Sequence, residues 1–125
     1  MSKILIVEDD PANLKLFRDV IGQCGHNTLH SVKGRDAIQI ASSQHPDLVV
    51  LDIRLPDISG FEVARRLKER NATKNIPIVA VSAYVSEIDE DEVRRAGCDI
   101  YISKPIAFRI FMDILHNALK AANDR

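Results

Sequence analysis

The stretch Leu48-Val49-Val50-Leu51-Asp52 is apolar at every position until it stops on a carboxylate, and Ile4-Leu5-Ile6-Val7 breaks in the same way into Glu8-Asp9-Asp10. A strand with no polar alternation is covered on both faces, as in a parallel sheet flanked by helices. Residues 77–81 (Pro-Ile-Val-Ala-Val) and 100–102 (Ile-Tyr-Ile) share this character, while Asn27-Thr28-Leu29-His30 is polar enough for a sheet edge. Helical patterns lie between these segments. The first has Asp10 as N-cap and Pro11 at its first position, sets Leu14, Phe17, Ile21 and Cys24 on one face, and is stopped by Gly25. Others are predicted over about 34–43, 60–70 and 86–96, with Gly97 ending the last of these. A final helix from near Ile106 stacks Phe111, Ile114, Leu115, Ala118, Leu119 and Ala122. Strand and helix alternating along the whole chain predict right-handed crossovers and an open, doubly wound α/β sheet.

At 125 residues and 46% hydrophobic, the chain is sized for one domain, 1–125, with no output domain attached. The 17 Lys and Arg are interspersed with 18 Asp and Glu for a net charge of -1, so no electrostatic footprint for nucleic acid is present. Cys24 and Cys98 fit neither a Cys-x-x-Cys motif nor a metal spacing and read as reduced thiols. No signal peptide precedes Ile4, and no apolar run approaches the ~20 residues that span a bilayer. A cytoplasmic protein without membrane insertion is expected.

In open parallel sheets ligands bind beyond the carboxyl ends of the strands, where the strand order reverses. If the first and third strands are neighbours there, Glu8, Asp9, Asp10 and Asp52 meet in one small volume, and their repulsion calls for a hard divalent cation with oxygen ligands. Ser82 follows the fourth strand and Lys104 the fifth. Each residue alone has a plain structural explanation. Asp10 suits a helix cap, Asp52 a strand-end turn, Ser82 a local hydroxyl and Lys104 a solvated amine. Their coincidence at matching strand ends is what points to a site.

The string Ile4-Leu5-Ile6-Val7-Glu8-Asp9, the segment from Asp52 through Arg54 to Gly60, the Ala80-Val81-Ser82-Ala83 corner and Tyr101-Ile102-Ser103-Lys104-Pro105 together resemble bacterial response-regulator receiver domains. The resemblance covers almost the whole chain and is closest to single-domain members of the family. It implies a flavodoxin-like (CheY-like) five-stranded parallel sheet in the order 2-1-3-4-5 with five helices, which makes the first and third strands adjacent. It also implies that Asp52 is the phosphoacceptor of a two-component phosphorelay. Mg²⁺ would be held by Asp9, Asp52 and the backbone carbonyl of Arg54, with Glu8 contributing through water. Lys104 would pair with the phosphoryl group, Ser82 would hydrogen-bond it, and Tyr101 would turn inward on activation. Arg54 and Tyr84 would flank the path of an attacking water. By the same resemblance, Lys104-Pro105 is a candidate cis bond.

The chemistry agrees with these roles. Phosphoryl transfer is helped chiefly by positioning and by cations on the equatorial oxygens. Ser82 stands where threonine is more frequent, and Glu8 where aspartate is; neither change removes a required functional group. An aspartyl-phosphate phosphatase is the alternative class, but it uses an Asp-x-Asp pair and Arg54 occupies the second acidic place. An interaction module with a vestigial site would not need Asp9, Asp52, Ser82 and Lys104 together. The expected activity is therefore that of a switch, limited to its own phosphorylation and slow dephosphorylation. The expected partners are a sensor histidine kinase or histidine phosphotransferase upstream, and downstream a kinase or adaptor protein bound through the fourth helix, fifth strand and fifth helix.

Overall fold

The computed structural model describes residues 2–82 and 90–123. Five parallel strands, β1 (Lys3–Val7), β2 (Asn27–Ser31), β3 (Leu48–Asp52), β4 (Ile78–Ser82) and β5 (Ile100–Ser103), form one sheet in the order β2-β1-β3-β4-β5. The helices are α1 (Pro11–Gln23), α2 (Gly34–Gln44), α3 (Gly60–Glu69), α4 (Glu90–Ala96) and α5 (Phe108–Asn123). The predicted doubly wound sheet and its strand order are found.

Alternate strand residues face opposite sides, so each central strand feeds two cores. Leu5, Val7, Val49, Leu51, Ile78 and Ala80 pack on Ala37, Ile38 and Ala41 of α2 and on Val63, Ala64 and Leu67 of α3, with Val93 and Ala96 of α4. Ile4, Ile6, Leu48, Val50, Val79 and Val81 pack on Phe17 and Ile21 of α1 and on Phe111, Met112, Leu115 and Leu119 of α5. Each Val, Leu, Ile, Phe or Met side chain among these contributes about 1.5–3 kcal/mol on full burial, which is why the uninterrupted apolar runs decide the architecture. Among the described residues, no helix is long and apolar enough to cross a membrane.

Local punctuation works as the residues dictate. Asp10 accepts a hydrogen bond from the Ala12 N–H at 3.4 Å with Pro11 following it, and Ser59 caps α3 through the Phe61 N–H at 3.1 Å. Gly25 and Gly97 end their helices at φ 88° and 89°. At Gly60 a Cβ would lie 2.4 Å from the Asp52 carbonyl oxygen, so only glycine lets α3 start this close to the end of β3.

The boundaries differ from expectation in a few places. Cys24 is exposed and serves as the C-cap of α1, because its N–H turns back to the Gly22 and Ile21 carbonyls and the buried face ends at Ile21. Helix α5 begins at Phe108, after a connection containing a cis Lys104–Pro105 bond, and its first carbonyl acceptor is Ala107, bonded by the Phe111 N–H at 2.9 Å. Met112 enters its buried face, where Ile114 is only half-buried. Strand β4 runs one residue further than predicted and β3 includes Asp52. The predicted start of the fourth helix near Ser86 lies outside the described residues.

Candidate functional site

Parallel pairing in register, with Val7 opposite Leu51, brings Glu8 and Asp52 off neighbouring strand ends at the same level. On the other side of β3, Asp52 pairs with Val81, and Ser82 with Ser103, so Ser82 and Lys104 emerge at the same edge. The backbone fixes this level: the Glu8 N–H donates to the Ser31 carbonyl at 3.0 Å and the Lys104 N–H to the Ser82 carbonyl at 2.8 Å.

The Lys104 ammonium joins the group. Its Nζ donates to Glu8 Oε1 at 2.8 Å and to Asp52 Oδ2 at 3.0 Å. The other oxygens are also engaged, Asp52 Oδ1 by the Arg54 N–H at 2.9 Å and Glu8 Oε2 by the Asp9 N–H at 3.1 Å. Glu8 is 1% exposed and Asp52 8%, whereas Asp9 is open to solvent. One carboxylate oxygen from each of Glu8, Asp9 and Asp52 lies within 4.8 Å of the others. They line an open cleft of about 310 Å³ together with Asp10, Asn13, Arg54 and Lys104.

Burial and a shared hydrogen bond with Asp52 push the Glu8 carboxyl up to about 7, against the opposing pull of Lys104. For Lys104, burial works against the charge, yet its bonds to Glu8 and Asp52 outweigh it and raise its pKa. A site this acidic, built wholly from oxygen donors around one ammonium, fits an added hard divalent cation that keeps part of its water shell.

Ser82 is buried at the end of β4. The hydroxyl of Tyr101 is buried as well and makes no hydrogen bond among the described residues; burial raises its pKa, and the nearby Ser82 side chain offsets part of the rise. Tyr84 and Ala83 lie outside the described residues. Asp10 is the helix cap its simplest explanation requires, while its side chain also borders the cleft.

Three residues escape sequence analysis. Asn13 borders the cleft one turn into α1. Asp99 accepts from the Ile78 N–H at 2.7 Å and from Lys68 at 3.4 Å, tying the start of β4 to α3. Asp57 accepts from the N–H groups of Gly34 and Arg35 at 2.8 and 2.9 Å. Burial opposes its charge, but these bonds and the N–H groups of Ile58 and Asp57 hold its carboxyl at about 2. Only the turn segment Pro56-Asp57 hints at such a role, and a turn aspartate does not disclose its distant partners.

Residues 4–116 match the model of the response regulator receiver domain. The chain belongs to this family. Among its relatives, the polar-differentiation response regulator DivK of Brucella ovis is 41% identical over 116 residues, covering 93% of this chain and 94% of the relative, and DivK of Brucella anthropi is 40% identical. Among solved structures, the receiver domain of the sensor histidine kinase PA1611 from Pseudomonas aeruginosa superposes with a TM-score of 0.89 at 26% identity, covering 95% of this chain and 98% of that one. That structure has a magnesium ion coordinated in its active site cleft. A CheY-like receiver domain from Methanospirillum hungatei, 23% identical, shares the fold with a TM-score of 0.92 over 99% of this chain and 98% of its own. Receiver domains are signalling modules of two-component systems rather than metabolic enzymes, and they bind Mg²⁺ in the active site. The acidic cluster here has the donor set for it.

Proposed function

We propose that this receiver domain accepts a phosphoryl group on Asp52 from a histidine kinase or histidine phosphotransferase and signals by phosphorylation-dependent protein binding. The observation that carries this is the Lys104 ammonium seated on Asp52 Oδ2 and Glu8 Oε1, beside three convergent carboxylates. A carboxylate attacking phosphorus must have the incoming negative charge neutralised. Asp9, Asp52 and the Arg54 carbonyl would hold Mg²⁺, with Glu8 contributing through water, and the ion would supply part of that neutralisation. Lys104 would supply the rest, exchanging a carboxylate partner for a phosphoryl oxygen. Ser82 donates its hydroxyl to the phosphoryl group, and Tyr101 relays the shift of Ser82 towards α4, β5 and α5.

Residues 1–125 act as one receiver domain whose reaction is limited to its own phosphorylation and slow dephosphorylation. Slow loss follows if Arg54 and Tyr84 flank the in-line water, since neither offers a carboxylate or amide to orient it. Intact-mass measurement after acetyl phosphate treatment tests the assignment. Wild type should gain one phosphoryl group only with Mg²⁺ present, and Asp52→Asn should gain none; a full adduct on the variant overturns it.

A further inference from the structure

We infer that Asp57 is a positioning residue for the cation site, fastening the loop that carries Arg54 to the N-terminus of α2 and, through it, to the end of β1. The inference rests on the Mg²⁺ site proposed above. Helix α2 lacks a side-chain cap of its own: Lys33 stands at the N-cap position and makes no such bond. The first N–H groups of a helix have no partner within it. Asp57 supplies that partner from 22 and 23 residues away, one oxygen on each of the Arg35 and Gly34 N–H groups. The contact is close-packed as well as polar, since a Cβ on Gly34 would lie 2.6 Å from Val63 and 2.8 Å from Ile58.

The bonds continue past α2. The Ser31 hydroxyl donates to the Lys33 carbonyl at 2.7 Å, and the Ser31 carbonyl accepts from the Glu8 N–H at 3.0 Å. On the other side the loop returns from Asp57 to Arg54, whose N–H holds Asp52 Oδ1. The acidic cluster is thus spanned from outside the cleft by a bracket with β1 at one end and β3 at the other. Without Asp57 the loop keeps its bonds at the base, the Gly60 N–H on the Ile53 carbonyl at 2.8 Å and the Ile53 N–H on the Val81 carbonyl at 3.1 Å, and the packing of Leu55 and Ile58, but it loses this polar tie to α2. The carbonyl offered to the cation would then be set less firmly relative to Asp9. Outer partners that orient metal ligands typically contribute 10–100-fold in affinity, and an indirect hold on one carbonyl belongs at the lower end, about 10-fold.

Titration calorimetry with Mg²⁺ tests this on the full chain, at a temperature where circular dichroism shows every variant folded. Asp57→Ala should weaken binding about 10-fold, and Asp57→Asn less, because the amide oxygen can accept from one of the two N–H groups. Ser59→Ala loses a helix cap in the same loop but keeps the tie to α2, and should stay within about 2-fold of wild type; it controls for general loosening. Affinity in both Asp57 variants equal to wild type, or a loss in Ser59→Ala as large as in Asp57→Ala, overturns the inference. Wild-type binding that survives Asp52→Asn unchanged overturns the cation-site assignment itself, and the inference falls with it.

Discussion

Removing the ammonium at the centre of the site has a cost that depends on pH, and its size follows from Glu8. In Lys104→Met protein studied with EDTA, two hydrogen bonds to buried carboxylates disappear, at 2.8 and 3.0 Å. Stranding a buried charge by deleting its partner costs about 3–5 kcal/mol. Glu8 can avoid that penalty by taking a proton, because burial and its bond with Asp52 already place its carboxyl at about 7. At pH 6 it is neutral and can donate to Asp52, so the expected loss is only about 2 kcal/mol, that of charged hydrogen bonds partly replaced.

Raising the pH removes this escape. A folded-state pKa above the unfolded value of 4.5 means that the native protein binds more protons, so Glu8's contribution is fully present below 4.5 and is lost as pH rises through about 7. In wild type the loss is therefore nearly complete by pH 8. Without Lys104, which pulls Glu8 down, the folded value moves higher and the loss continues, at up to about 1.4 kcal/mol for each pH unit. The difference between variant and wild type should widen by about 1 kcal/mol or more from pH 6 to pH 8. Urea unfolding followed by circular dichroism at the two pH values measures it, and the Lys104→Met/Glu8→Gln double variant should abolish the widening. A gap that is the same at both pH values would show that Lys104 does not govern Glu8.

Two further outcomes are expected. His26 receives the Ser2 N–H on Nδ1 at 3.2 Å and meets His116 Nε2 to Nε2 at 3.0 Å, while burial first and His116 second lower its pKa. Its unfolded state thus binds the extra proton, and stability falls as pH drops below about 6.5; His26→Gln should flatten this acid limb relative to wild type, and superimposable limbs would contradict it. Tyr84→Ala should speed loss of the phosphoryl group about 10-fold, a barrier change of about 1.4 kcal/mol, and an unchanged decay of radiolabelled protein would remove Tyr84 from the water path.

The architecture was legible because burial on both faces leaves no room for polar alternation, and β1, β3 and β4 obey this at every apolar position. Glycines told where α1 and α4 stop, since their positive φ values are a local property of the chain. The start of α5 was less legible: Ile106 fits the apolar periodicity, and only the path of the backbone after Pro105 shifts the first helical residue to Phe108. The candidate site residues could be selected because strand ends in a parallel sheet converge, and Glu8, Asp9, Asp52, Ser82 and Lys104 do meet at one edge. Asp57 could not be selected, because its partners are backbone N–H groups, which every residue but proline carries and no sequence pattern marks.

Glu8 shows the same limit within a residue that had been singled out. Beside Asp9 it reads as one more carboxylate of an acidic pair, differing from aspartate by a methylene. In the fold that methylene matters, because the carboxylate can receive the Asp9 N–H on Oε2 while Oε1 reaches Lys104, 96 residues away in the chain. Both contacts are made from a backbone fixed by the Glu8 N–H on the Ser31 carbonyl. Lys104 is therefore divided between two carboxylates before any phosphoryl group arrives, and Glu8 sets how strongly it is held. A charge of the right type at the right strand end can be read from sequence; the competition for one ammonium depends on a reach of a few ångströms, which only the folded chain specifies.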